Sequence, residues 1–203
     1  MRNWMLLAVL ALPLSGEPLS KGERDQAMSH LQGTRKMILD FIAPLSEAQW
    51  TFKAGPERWS IAECAEHITE TENLLRGMIQ QSAKKLPVDE EKRTARAADK
   101  DASGKKVLTT MTDRSKPASA PKEIRPTGKY ATKAALAAAL NARRDETIRF
   151  AETTEDDLRG RFFKTGPATE MDLYEMILMI SGHSERHLLQ MKEVTAAAGY
   201  PKR

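Results

Sequence analysis

The sequence has 203 residues, of which 40% are hydrophobic and 30% charged, and a chain of this kind can bury the core of one globular domain. Aromatic residues make up only 5% and no periodic repeat is present, so an all-α domain is expected and a repeat protein is excluded. The formal net charge is +4, but residues 84–133 hold fourteen Lys or Arg and seven Asp or Glu, so the rest of the chain carries −3. This basic segment has only Tyr130 beside it for base stacking, and nucleic-acid binding is therefore not expected.

Residues 1–16 have the layout of a secretory signal peptide, because a basic residue precedes an apolar run over 4–14 and two small residues follow it. We therefore expect export to the periplasm or the extracellular space and a mature domain over 17–203. The run is shorter than the roughly 20 residues of a transmembrane helix, so no stable membrane span is expected after cleavage. The alternative is a hydrophobic first helix of the domain itself. The single cysteine, Cys64, excludes an internal disulfide.

Two helices are predicted in the first half of the mature chain. The first follows Ser20 and extends to Pro44, and the second follows Ser60 and extends to about Lys84. Each serine has a glutamate three residues later, which is the pattern of a capping box at a helix N-terminus.

Two further helices are predicted in the second half. The third begins near Thr132 and runs to about Glu152, because Ala and Leu dominate this stretch. The fourth is expected to begin at Thr169, with acidic residues in its first turn, where they suit the positive end of the helix dipole. It is expected to close at Gly199, and Pro201 marks the stop.

A connection of more than forty residues, about 86–130, separates the second and third helices and is rich in Pro, Lys, Ala and Ser. Connections of this length inside a domain are usually lids, binding loops or crossovers, and we expect a solvated crossover loop. The expected architecture is therefore a four-helix bundle with one long crossover between helices 2 and 3. Such bundles build metal and ligand sites from side chains on facing helices.

Three of the four histidines are predicted to point into this bundle. His183 and His187 are four residues apart, so they share one face of the last helix and their imidazoles can reach one cation. Burying an imidazole costs free energy unless its nitrogens find partners, which leaves two explanations: hydrogen-bonded core histidines or a shared metal site. A third inward histidine on another helix favours the metal site. This third residue, His67, shares its helix face with Cys64, Ile68, Thr71, Leu74 and Met78.

Three segments carry a family resemblance: WSIAECAEHITETENLL, DRSKPASAPKEIRPTGKY with the downstream RRDETIRF, and GHSERHLLQM. Together they resemble the DinB-like superfamily, the DinB/YfiT group of small four-helix proteins, over about residues 20–197. The order W-S-x-x-E-x-x-x-H, followed by a distant H-x-x-R-H-like segment, is fairly specific to this group. The resemblance implies that one histidine of the second helix and two of the last hold a divalent metal, and these fall on His67, His183 and His187. The leader peptide departs from the pattern, since the better understood relatives are cytoplasmic.

The resemblance implies metal chemistry but leaves the substrate open. Three neutral imidazoles leave a position for water or substrate, as in catalytic zinc sites, and zinc or nickel is the expected ion. Relatives include thiol-dependent transferases and suspected hydrolases, so a metal-dependent hydrolase or S-transferase acting on a small molecule is expected. Export argues against S-transfer, because thiol cofactors are chiefly cytosolic. The alternative is a non-catalytic, metal-stabilised binding or stress-response module.

Several residues are candidates for supporting roles. Gln190 and Glu70 each lie three residues after a predicted ligand and could orient its imidazole, or they could be ordinary boundary positions. Cys64 could supply a fourth ligand, although a small buried core residue is the simpler interpretation. Arg186 is expected to pair with an acid at the surface or rim, and His30 to be partly exposed or hydrogen-bonded. The Ala-rich third helix would suit the face of a homodimer.

Overall fold

Residues 16–115, 119–166 and 169–202 are described in a computed structural model of the chain, and they form seven α-helices and one two-stranded sheet. The predicted signal peptide falls almost entirely on residues 1–15, outside the described ranges. Within the described ranges, no helix is long and apolar enough to cross a membrane. The helices are α1 (Lys21–Ile42), α2 (Glu47–Thr51), α3 (Ile61–Lys85), α4 (Glu90–Ala97), α5 (Lys100–Thr112), α6 (Lys133–Thr153) and α7 (Leu173–Thr195).

The four long helices α1, α3, α6 and α7 form a bundle, which confirms the predicted all-α fold. Helices α1 and α3 each pack against both α6 and α7. The segment between α3 and α6 is the long crossover that was expected between the second and third helices of the bundle. The side chains between the four helices form two apolar clusters.

The helix starts that were predicted from capping boxes are confirmed. Ser20 accepts a hydrogen bond from the backbone N–H of Glu23, whose carboxylate in turn accepts from the backbone N–H of Ser20. Ser60 and Glu63 form the same reciprocal pair at the start of α3. Thr132 caps α6 in the simpler way, with its hydroxyl accepting from the backbone of the first turn. These caps fix where α1, α3 and α6 begin.

The predicted bounds of the last helix are wrong at both ends. Residues 169–172 form strand β2 (Thr169–Asp172), which pairs in antiparallel fashion with β1 (Phe162–Gly166). Asp172 is the N-cap of α7 and forms a capping box with Glu175. The acidic stretch therefore does mark the start of a helix, but its N-cap lies three residues after the predicted start at Thr169. The helix ends at Thr195, and the chain turns through Gly199, whose φ of +81° lies in the left-handed region.

The crossover is not a solvated loop throughout, because it contains α4, α5 and a short 3₁₀ turn at Lys122–Ile124. Helix α5 lies against α7, and glycines allow the two backbones to approach closely. A Cβ atom at Gly182 would lie 2.9 Å from the Cβ of Met111, and one at Gly104 would lie 2.9 Å from the Cδ1 of Leu178. The crossover therefore packs on the helix that carries two of the three candidate ligands.

The buried stripe of α3 also differs from the predicted one. Cys64, Ile68 and Thr71 are buried as expected, but the side chain of Leu74 is 43% exposed. The stripe continues instead through Ile79, which is fully buried, because a helix of 3.6 residues per turn carries the face of residues 64, 68 and 71 on to 75 and 79. His67 still lies on the buried side.

Candidate metal centre

The three histidines that the sequence singled out are brought together by two neighbouring helices. His67 projects from α3, and His183 and His187 project from successive turns of α7. The Nε2 atom of His183 lies 3.1 Å from the Nε2 of His67 and 3.1 Å from the Nε2 of His187. The three imidazoles thus present one nitrogen each toward a common point.

The outward nitrogens of two of these rings are held by acceptors. His67 Nδ1 lies 2.8 Å from the backbone carbonyl oxygen of Ile124, in the 3₁₀ turn of the crossover, and His187 Nδ1 lies 2.8 Å from Gln190 Oε1. Because a carbonyl oxygen can only accept, each Nδ1 carries the proton and donates it. Each Nε2 of these two rings is therefore an unprotonated lone pair, which is the form that binds a metal.

This arrangement fits a cation better than it fits a hydrogen-bonded core. If His183 Nε2 carried a proton, it could donate to the Nε2 of His67 or to that of His187, but not to both. The other Nε2, also at 3.1 Å, would then have no donor from this ring. A divalent ion satisfies all three nitrogens at once. Imidazole nitrogens at about 2.0–2.1 Å from an octahedral or tetrahedral ion lie about 2.8–3.4 Å apart, a range that includes the two observed separations of 3.1 Å. The donor set, three imidazole nitrogens, suits zinc, nickel, copper or iron.

Burial keeps the three imidazoles neutral. Removal from water lowers the pKa of His67, against the opposing effect of its hydrogen bond to Ile124. Burial lowers the pKa of His187 to about 3, and that of His183 falls well below its usual range because of burial and the two neighbouring histidines. At neutral pH protons therefore do not compete with a metal for these nitrogens.

A cavity of about 730 Å³ opens beside the imidazoles. The ring of Trp59 forms part of its wall, with its centroid 4.8 Å from that of His67 and 6.0 Å from that of His187. Trp59 is the tryptophan that begins the W-S-x-x-E-x-x-x-H motif. The wall also includes Met111 from α5 and Ile124 from the 3₁₀ turn, so the crossover closes one side of the cavity.

The two candidate supporting residues have different positions. Gln190 contacts His187 as described above. The carboxylate of Glu70 is directed elsewhere, since it accepts from Lys129 Nζ at 2.8 Å and from the hydroxyl of Tyr130 at 2.6 Å. Glu70 therefore stabilises the end of the crossover. Of the two alternatives for this residue, the one in which it orients His67 does not hold, because the carbonyl of Ile124 takes that position.

The remaining candidates lie as follows. Cys64 is fully buried, and burial raises the pKa of its thiol to about 12, so it is a neutral core residue. Arg186 is buried at the cavity wall and donates to the backbone carbonyls of Met111 and Asp113, at the end of α5. His30 is half-buried on α1, and its carbonyl accepts from the hydroxyl of Ser181.

Sequence reasoning missed the carboxylate that ties the crossover to the site. Glu66, adjacent to His67 and buried, accepts hydrogen bonds from the backbone N–H groups of Thr127 at 2.7 Å and Gly128 at 3.0 Å. These bonds hold the loop that follows Ile124, and so they support the carbonyl that orients His67. The available signal in the sequence was the position of this glutamate directly before the predicted ligand His67, on a helix with a buried face.

A buried ion pair was also missed. Arg144 on α6 donates from Nε and Nη2 to the carboxylate of Glu72 on α3, at 2.8–3.1 Å, with side-chain exposures of 0% and 2%. The same guanidinium donates to Ser184 Oγ at 2.8 Å, next to His183 on α7. It also bonds to the hydroxyl of Thr34 on α1, so one cation links all four helices of the bundle.

Comparisons with known proteins agree with this architecture. The model of the DinB superfamily matches residues 30–191, a range that contains all three histidines. YuaE of Bacillus subtilis (strain 168), an uncharacterized protein, is 25% identical over 168 residues, which are 82% of this chain and 96% of YuaE. The structure of YfiT from Bacillus subtilis is similar with a TM-score of 0.52 and 14% identity, covering 94% of this chain and 100% of YfiT. YfiT is described as a probable metal-dependent hydrolase with an unusual four-helix bundle topology.

The likeness to YfiT concerns the fold, because the sequences share few residues. The family match is independent of it and covers most of the chain, including the α3 and α7 segments that carry the imidazoles. On this ground the chain belongs to the DinB superfamily.

Proposed function

We propose that the chain holds one divalent metal ion between His67, His183 and His187 and uses it to hydrolyse a small molecule in the adjacent cavity. The observation that carries the proposal is the convergence of three Nε2 atoms, with His183 Nε2 at 3.1 Å from each of the other two, and with those two fixed as lone pairs by bonds at Nδ1. Three protein ligands leave coordination positions open, as catalytic sites require. The description of YfiT, which shares the fold, supports hydrolysis as the reaction class.

The residues of the chain would provide the site and its surroundings. When bound, the ion would supply Lewis-acid chemistry, activating water and polarising a carbonyl or phosphoryl group. Ile124 and Gln190 keep the ligand imidazoles in the required tautomer, and Trp59 shields one side of two of them. The cavity of about 730 Å³ lies within the range of sites that bind small molecules. Zinc and nickel are the ions we would test first.

The experiment uses the mature chain, residues 17–203, stripped of metal and reloaded with zinc or nickel. We expect hydrolysis of p-nitrophenyl acetate or p-nitrophenyl phosphate to follow metal occupancy, and to be lost in His183→Ala. His30→Ala is the matched control, because this histidine is half-buried on α1 and is not among the described residues that line the cavity. Hydrolysis that is unchanged by removal of the metal would contradict the proposal.

Two further arms separate the alternatives. If the metal is only structural, chelation should unfold the chain, whereas a catalytic ion can be removed from a chain that stays helical by circular dichroism. A parallel assay with a low-molecular-weight thiol and an electrophilic acceptor tests S-transfer. Metal-dependent thiol consumption without hydrolysis would replace our proposal with that reaction.

We also propose that the protein is exported after removal of residues 1–16. The support is the sequence pattern of this segment, a basic residue followed by a short apolar run and small residues. Fractionation of cells that express the full chain, compared with cells that express 17–203 alone, tests it. We expect only the full chain to reach the periplasm or medium and to begin near Glu17 by mass spectrometry; retention of the uncleaved chain in the cytoplasm would contradict it.

A further inference from the structure

The wall of the cavity beside the histidines carries an excess of positive charge. Its described Arg, Lys, Asp and Glu residues are four arginines and two glutamates. A divalent ion would add further positive charge without removing any. The arginines come from three parts of the chain, namely the segment before α3, the crossover, which supplies two of them, and α7, so the fold brings them together. The arginines are Arg58, Arg114, Arg125 and Arg186.

One of the two glutamates is already shared by two of these arginines. Glu193 on α7 accepts from Arg114 through two bonds, Nε to Oε1 at 2.8 Å and Nη2 to Oε2 at 2.7 Å. Its Oε2 also lies 3.4 Å from an Nη2 of Arg58. This carboxylate therefore neutralises one unit of charge among two guanidinium groups, and the rim keeps a net positive charge there.

The other two arginines contribute to the same excess. Arg125 is exposed, donates from Nε to the carbonyl of Ala120 at 3.0 Å, and has no carboxylate within ion-pair distance among residues 16–115, 119–166 and 169–202. Arg186 is buried and donates to the backbone carbonyls of Met111 and Asp113 at the same wall. Like charges that line one cavity repel one another, and an anion between them removes this repulsion.

We infer that this cavity binds a substrate through an anionic oxygen group, a carboxylate or a phosphate, held by its arginines with Arg125 at the open side. The inference rests on the proposed function and adds the substrate class to it. The planar guanidinium group forms paired hydrogen bonds with carboxylate and phosphate oxygens, and is therefore suited to this role. The anionic group would lie against the arginine wall while the rest of the molecule extends toward the histidines.

The test is a calorimetric titration of the metal-free mature chain with inorganic phosphate and, separately, with acetate, at constant ionic strength. We expect one binding site for at least one of these anions, and the tighter of the two identifies the group that the wall prefers. Arg125→Ala should weaken binding about fivefold, the upper range for a pair that is partly exposed to solvent. Arg149→Ala, which removes an exposed arginine of α6 outside the cavity, is the matched control and should leave the dissociation constant unchanged.

Two results would overturn the inference: absence of binding of both anions to the parent chain, or equal weakening by Arg125→Ala and Arg149→Ala. Because the titration is run without metal, it does not depend on the three histidines acting as ligands. A chain that binds phosphate but takes up no metal would refute the proposed hydrolase and keep the anion site. A chain that takes up metal but binds neither anion would refute the anion site and leave the proposed hydrolase standing.

Discussion

The buried pair of Arg144 and Glu72 gives the most quantitative prediction on stability. We consider Glu72→Gln, which keeps the shape of the side chain but removes its charge. The guanidinium of Arg144 is fully buried and directs three bonds of 2.8–3.1 Å to this carboxylate. The amide has one acceptor oxygen, so at least one of the three bonds is lost, an amide NH2 group faces the guanidinium donors, and the buried cation loses its counterion.

The expected cost follows from these contacts. Removing one partner of a buried ion pair typically costs about 3–5 kcal/mol, and the remaining bonds of Arg144 to Thr34 and Ser184 favour the lower end, about 3 kcal/mol. For a chain of this size, such a loss lowers the melting temperature by roughly 6–12 °C. Because Ser184 is next to His183, we also expect the metal affinity of the variant to fall.

Urea unfolding of the metal-free chain, followed by circular dichroism, measures the free energy. The matched control is Glu146→Gln on α6, whose pair with Arg76 is partly exposed and contributes at most about 1 kcal/mol. The double variant Glu72→Met with Arg144→Met removes both charges and should recover most of the loss. A change below about 1 kcal/mol in Glu72→Gln, or a double variant no more stable than that single one, would refute this reasoning.

Three further predictions concern the site. In the metal-free chain the pKa values of His67, His183 and His187 lie below 6.5 because of burial, with that of His187 about 3, whereas the unfolded chain takes up these protons near pH 6.5. The free energy of unfolding should therefore fall as the pH drops from about 7, by up to about 1.4 kcal/mol per pH unit for each histidine. Urea titrations at pH 7, 6 and 5 measure this dependence, and the free energy of His187→Gln should change less with pH than that of the parent chain. Burial raises the pKa of the Cys64 thiol to about 12, so this thiol should not react with iodoacetamide at pH 8 until the chain is unfolded. Mass spectrometry follows the labelling, and rapid labelling of the folded chain would contradict the burial of Cys64. Gln190→Ala should weaken metal binding about tenfold in competition with a chelator, since His187 loses its acceptor, and an unchanged affinity would show that this contact is dispensable.

The helices were predictable where the sequence carries local signals. Capping boxes at Ser20 and Ser60 depend on residues three positions apart, so they can be read without knowledge of the fold. The start of α7 was misplaced because Thr169 and the acidic residues after it suit either a helix start or a strand. Pairing with β1, between residues that lie three to ten positions apart, decides between them.

The candidate ligands were predictable for the same local reason. The four-residue spacing of His183 and His187 places both on one helix face, and the apolar face of α3 places His67 inward. Their supporting contacts were not predictable in this way. The carbonyl of Ile124 reaches His67 across 57 positions of the sequence, and Arg144 reaches Glu72 across 72.

The crossover was the least predictable part of the chain. Its Lys-rich and Pro-containing composition suggested a solvated loop, yet α5 packs closely on α7 through glycines at positions 104 and 182. A glycine in a sequence gives no indication of which helix will approach it. The arginine-rich cavity wall arises from the same packing, because Arg114 and Arg125 come from the crossover and Arg186 from α7.

The most direct test of the account is the metal content of the mature chain by elemental mass spectrometry, with His67→Ala, His183→Ala, His187→Ala and the control His30→Ala. We predict about one equivalent of a divalent metal in the parent and in His30→Ala, and little in the three other variants. A folded parent chain that holds no metal after reconstitution with zinc and nickel would contradict the central claim. So would metal retained in all four variants.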